Sequence, residues 1–113
     1  MSTHAQVWLW IAQRASAAVL ALCVIVHLVL MIYAVRGGLS AAEILGRTRG
    51  SLGWLAFYGV FVAAIAVHGP IGLRNILTET FGWRGAGLNL MVLVVGLALL
   101  VWGGRATWAV FAA

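Results

Sequence analysis

Three long apolar stretches, each bounded by arginines, divide the chain. They cover about residues 15–35, 51–73 and 86–104. Each is close to the roughly 20 residues that a helix needs to cross a bilayer. The arginines that bound them are Arg14 and Arg36, Arg49 and Arg74, and Arg84 and Arg105. The pattern predicts an all-α integral membrane protein with three transmembrane helices.

The polar stretches between the spans predict the rest of the topology. Residues 4–13 predict a short interfacial helix before the first span. Residues 37–50 predict a loop that contains a short helix, which Ser40 caps and which ends near Gly46. Residues 75–85 predict the second connection.

Composition and charge agree with a single membrane domain over residues 1–113. The chain is 65% hydrophobic and 8% charged, whereas about a quarter of the residues of a soluble domain are charged. The net charge of +5 comes from arginines at the ends of the spans, which is typical of membrane interfaces and not of nucleic-acid binding. Cys23 is the one cysteine, so no disulfide forms within the chain.

Two histidines, His27 and His68, lie inside predicted spans. An imidazole in hydrocarbon is costly unless something binds it, and axial ligation of heme iron is a common reason to keep one. By helical rise, His27 lies roughly 13 Å from Arg36, and His68 roughly 25 Å from Ser51 on the same side. Ligands of one iron must lie at matching depth. The sequence therefore predicts two hemes, each shared with an imidazole from another chain.

Spacing also predicts which helix faces point inward. Ser16, Leu20, Cys23 and His27 fall on one face of the first span, and this face carries its least apolar side chains. We expect it to point to the protein interior.

The residues after His68 extend this candidate site. Gly72 follows four residues later, on the same face, where a missing Cβ lets a flat porphyrin approach the backbone. Arg74 lies at the interface, from which its long side chain reaches toward a heme propionate. Pro70 removes a backbone donor and predicts a kink near the helix end.

The segment from His68 to Glu79 reads H-x-x-x-G-x-R-x-x-x-x-E. It resembles the segment of succinate dehydrogenase and fumarate reductase cytochrome b subunits in which the His is an axial heme ligand and the Arg lies by the propionates. An acidic residue, usually Asp, closes the motif in many members, and Glu79 stands there. In some members a His stands at the position of Asn75. The placement of His27 resembles the diheme members of the family.

A second segment, Gln13-Arg14-Ala15-Ser16-Ala17, resembles the H-R-x-S-G signature at the start of the family's first membrane helix. Gln13 replaces the usual His, and Ala17 replaces the Gly. The resemblance implies that Arg14 and Ser16 line a quinone pocket, and we assign Glu79 to the same pocket.

The resemblance implies a cytochrome b membrane-anchor subunit of a succinate:quinone oxidoreductase-type complex, inactive alone. It would pass electrons between an iron–sulfur subunit and membrane quinone through heme b, with two hemes expected and one at minimum. The implied partners are that subunit, a flavoprotein subunit and a second small membrane subunit that supplies the opposite heme ligands. The implied location is a bacterial or archaeal cytoplasmic membrane, with the N-terminus in the cytoplasm.

Other interpretations remain open. The sequence also fits a heme-free anchor of the same kind of complex, or a small multidrug-type transporter. The transporter ranks last because it needs an intramembrane acid, whereas Glu43 and Glu79 fall in predicted loops. His68 and His27 also fit hydrogen-bonded or packing histidines. Arg14 equally fits an interface anchor.

Overall fold

The computed structural model describes residues 2–113. It contains helices and no strands within that range. The helices are α1 (Thr3–Arg36), α2 (Ala41–Thr48), α3 (Leu52–Phe81) and α4 (Ala86–Ala112). Three of them, α1, α3 and α4, are long and apolar enough to cross a membrane. The predicted all-α fold with three membrane-spanning helices is confirmed.

Helix α1 includes residues 4–13, which were expected to form a short interfacial helix before the first span. Ser2 caps it, its side chain accepting a hydrogen bond from the Ala5 N–H. No Gly or Pro interrupts the 34 residues that follow, so nothing breaks the helix between residues 4–13 and the first span. The segment is helical, as predicted, and it is continuous with the first span. At about 1.5 Å per residue, α1 is longer than the hydrocarbon core is thick.

Helix α2 forms where the sequence predicts it, and hydrogen bonds at its C-terminal end connect it to the end of α4. The Ser40 side chain accepts from the Glu43 N–H at 3.2 Å, and the helix ends at Thr48, two residues later than expected. The Thr48 hydroxyl donates to the Val110 carbonyl at 2.8 Å, and the Gly50 N–H donates to the Phe111 carbonyl at 2.9 Å. Two carbonyls in the last turn of α4 thus obtain partners that the helix itself cannot provide.

Helix α3 continues two turns past its predicted end. It ends at Phe81, where Gly82 adopts a positive φ of 66° and its N–H bonds back to Thr78. The expected loop over residues 75–85 is therefore wrong for its first seven residues. Glu79 lies in α3 and Glu43 in α2, so the prediction that both acids lie in loops is also wrong. Both carboxylates are exposed.

Helix α3 is the centre of the molecule, because it packs against both α1 and α4. Glycines on α4 allow the close approach. A Cβ at Gly96 would lie 3.1 Å from Cγ of Pro70, and one at Gly103 would lie 2.7 Å from Cγ1 of Val62. Pro70 is buried inside α3, which continues for eleven residues beyond it. The proline therefore serves as a packing surface for α4.

Candidate histidine site between α1 and α3

The α1–α3 contact fixes the relative level of every candidate residue. The Tyr58 hydroxyl lies 3.5 Å from Nδ1 of His27, and a Cβ at Gly72 would lie 3.3 Å from Nε2 of Gln13. The two pairs are fourteen residues apart on each helix, as expected for antiparallel neighbours in register. Between them on α1, Ser16 and Cys23 are buried, which confirms the predicted interior face.

His68 is half-buried in α3, four residues before Gly72. Its Nδ1 is buried and has no hydrogen-bond partner. No hydrogen bond to its Nε2 occurs within residues 2–113. A buried polar nitrogen without a partner is uncommon in folded proteins and calls for an explanation. Because Nδ1 is enclosed, the unpaired Nε2 is the ring nitrogen that remains available to the metal of a cofactor.

Gln13 is the second buried polar group at this level. Its Oε1 also lacks a hydrogen-bond partner, and its amide nitrogen occupies the space beside Gly72. Because Gly72 has no Cβ, the Gln13 side chain fits beside it, in the space where a porphyrin was expected. Gln13 was not among the predicted site residues, although it stands where the related signature has His.

His27 lies in an aromatic cluster near the other end of the α1–α3 contact. Its ring meets those of Tyr58 and Phe61 edge to face, with centroids 5.8 and 5.7 Å apart. Tyr58 therefore contributes both a ring contact and a hydroxyl to the histidine. The sequence pattern did not identify this tyrosine as a site residue, because its partner is 31 residues away.

The two histidines lie at different levels. Tyr58, which contacts His27, is ten residues before His68 on the same helix. By helical rise this places the two imidazoles about 15 Å apart along α3. The separation agrees with the depth difference expected from the sequence and prevents the two rings from binding one iron.

Arg74 is directed toward α4. Its Nε donates to Oδ1 of Asn89 at 3.1 Å. The expected contact with a heme propionate stays a prediction, and it requires the guanidinium to leave Asn89. Sequence patterns gave no signal for Asn89, which lies 15 residues from Arg74 in the next helix.

The three residues assigned to a quinone pocket are not brought together. The Arg14 guanidinium lies over the Trp10 ring, 5.2 Å from its centroid. The Ser16 hydroxyl donates to the Gln13 carbonyl at 3.1 Å, as a helix-packing hydroxyl does. Glu79 is exposed in the last turns of α3, seven residues beyond Gly72. The quinone role of these residues stays a prediction.

Two further findings concern possible metal ligands within the chain and its similarity to known proteins. Residues 2–113 contain no group of three or more His, Cys, Asp or Glu side chains that could hold a metal ion. Neither the curated proteins nor the solved structures include a match. The family described as succinate dehydrogenase/fumarate reductase transmembrane subunit matches residues 1–104. With this match over nearly its whole length, the chain belongs to that family of membrane subunits.

Proposed function

We propose that this chain is the cytochrome b membrane anchor of its complex and that His68 is an axial ligand of heme b. The family supports the anchor role. The observation that supports the heme is the half-buried His68 ring, whose Nε2 has no hydrogen-bond partner within residues 2–113 and is not enclosed as Nδ1 is. A second small membrane subunit supplies the opposite ligand, because this chain offers no other imidazole at the same level.

His68 and the helices around it would make three contributions in this role. When bound, heme supplies one-electron redox chemistry. The chain contributes the imidazole, an apolar environment of low dielectric constant, and helices that hold the ring in place, all of which influence the potential. The iron–sulfur subunit and membrane quinone are the electron partners of this proposal.

A second heme at His27 is the finer part of the proposal. Metal-bound histidines usually donate their other ring N–H to an oxygen, which fixes the ring and tunes its basicity. Tyr58 offers such an oxygen to Nδ1 of His27. This contact is the observation that supports a second ligand at His27.

Replacement of the histidine tests the proposal. In the purified complex, His68→Ala should remove one heme b, measured as pyridine hemochrome per complex, while the soluble subunits still co-purify. His4→Ala is the matched control, because His4 is exposed near the start of α1 and should leave the heme count unchanged. An unchanged heme count in His68→Ala would refute the ligand assignment.

A heme-free anchor is the alternative function. A heme-free anchor would have the same fold and belong to the same family. The absorption spectrum of the complex would distinguish it from the proposed cytochrome. A purified complex without b-type Soret and α bands would favour it. The transporter hypothesis has less support, because the chain's two acids, Glu43 and Glu79, are exposed and lie outside the three predicted spans.

A further inference from the structure

A polar cavity and an apolar groove meet on the side of α3 away from His68. The polar cavity, of about 420 Å³, is lined by Arg74, Arg84, Gly85 and Asn89, together with Gln6. The groove, of about 940 Å³, runs between α1, α3 and α4. Arg74 and Asn89 line both, so the two form one continuous amphiphilic site.

The groove has the length of one bilayer leaflet. Along α3 it extends from Arg74 to Ala63, and along α4 from Asn89 to Leu100. Eleven residues of helix rise about 16 Å. This is close to half of the roughly 30 Å hydrocarbon core. The groove therefore accommodates an acyl chain that starts at the interface and ends near the midplane.

The charged end of the groove determines which lipid headgroup it can bind. The Arg84 guanidinium has no carboxylate partner within residues 2–113, and Arg74 uses its Nε on the neutral Asn89 amide, which leaves its positive charge uncompensated. Gly85, the N-cap of α4, adds the unpaired N–H groups of the first helical turn beside the same cavity. Two cations at the mouth of an apolar groove complement a phosphate ester attached to acyl chains.

The site lies on a different face from the proposed heme ligand. The α3 residues that line the groove include Val67, Pro70 and Arg74, at helical spacing. His68 lies about 130° around the helix from the middle of the α3 residues that line the groove, and Ile71 forms the edge of the groove nearest to it. If the proposed ligation is correct, the second membrane subunit must approach the His68 face, which leaves the groove open to lipid.

We propose that this groove binds one anionic phospholipid, with the phosphate between Arg74 and Arg84 and an acyl chain along α3. In this proposal Arg74, which points toward Asn89, binds the lipid phosphate in place of the heme propionate expected from the sequence. The structure of the groove supports this independently of heme. A helix of the partner subunit or a neutral lipid are the competing occupants.

Lipid retention by the delipidated whole complex tests the proposal. Native mass spectrometry would compare added phosphatidylglycerol with phosphatidylcholine of the same acyl chains. We expect one retained phosphatidylglycerol per copy of this chain, and about tenfold weaker retention in Arg84→Gln, the usual order for loss of one charge-assisted contact. Arg105→Gln, which removes an exposed arginine on α4 outside the groove, should bind as the wild type does.

A second variant tests the groove itself. Ala63→Leu should fill it and weaken retention of phosphatidylglycerol, whereas Ala106→Leu, outside the groove, should not. Equal retention of the two lipids, wild-type retention by both Arg84→Gln and Ala63→Leu, or no retention by any form would overturn the proposal; the last result would indicate that a partner helix covers the groove. Heme content measured on the same samples separates this outcome from a failure of the proposed function.

Discussion

At the scale of single residues, the imidazole of His68 is left without a partner by its own chain. A buried polar group without a hydrogen bond costs about 1–3 kcal/mol, and the enclosed Nδ1 of His68 carries this cost in the isolated subunit. His27 differs, because the Tyr58 hydroxyl lies beside its ring. Both histidines lie within apolar spans, and the structure gives them different surroundings.

The sequence pattern identified some of the residues near the histidines and missed others. His68 and Gly72 were identified because they lie within one helix, where spacing determines which side chains share a face. Tyr58 and Asn89 were missed, because each meets its partner across a helix–helix contact. Such contacts depend on the register between helices, and hydropathy carries no information about register.

The Tyr58 contact yields a prediction about the proposed second heme. Tyr58→Phe should keep that heme but raise its midpoint potential, because the ligand loses an acceptor that increases its basicity. Redox titration of the complex would measure this shift. Tyr33→Phe is the control, since Tyr33 lies under Arg47 and away from His27. Unchanged midpoint potentials in Tyr58→Phe would show that Tyr58 does not contact a heme ligand.

At the scale of helices, the apolar pattern predicted the number and order of the spans but not their full lengths. Hydropathy falls at Arg74 and Asn75, whereas the helix continues to the first residue able to end it, Gly82. The N-terminal segment behaves in the same way, because its polar residues include no helix breaker. Polarity marks where a helix leaves the membrane, and backbone chemistry marks where it ends.

The α3–α4 contact provides a matched pair of glycines. Gly103→Ala should destabilise the fold by about 1–3 kcal/mol, because the new Cβ overlaps Val62. Gly104→Ala, one residue later, meets nothing within 4 Å and should be neutral or slightly stabilising. Thermal unfolding in detergent would compare the two. Val62→Ala should restore the stability of Gly103→Ala; failure of that rescue would place the effect elsewhere.

At the scale of the whole molecule, three spanning helices place the chain termini on opposite sides of the membrane. The N-terminal side holds Arg14, Arg74 and Arg84, and the other side holds Arg36, Arg47, Arg49 and Arg105. Three against four does not decide orientation by the positive-inside rule. The sequence therefore predicted the topology but left its direction to the family resemblance, which implies a cytoplasmic N-terminus.

Cysteine labelling of intact cells would test this orientation. In a Cys23→Ala background, Ala42→Cys in α2 should react with a membrane-impermeant maleimide, and Thr80→Cys at the end of α3 should not. Both positions are exposed in the structure and lie on opposite sides of the membrane. The reverse pattern would place the N-terminus outside.

The proposed cytochrome function depends on heme in the assembled complex. Its most direct test is the pyridine hemochrome content of the purified wild-type complex, expressed per copy of this chain and with the co-purifying subunits identified. We predict two hemes b, one at the level of His68 and one at that of His27. A single heme would remove His27 from the account, and a complex that contains no heme would contradict the central claim.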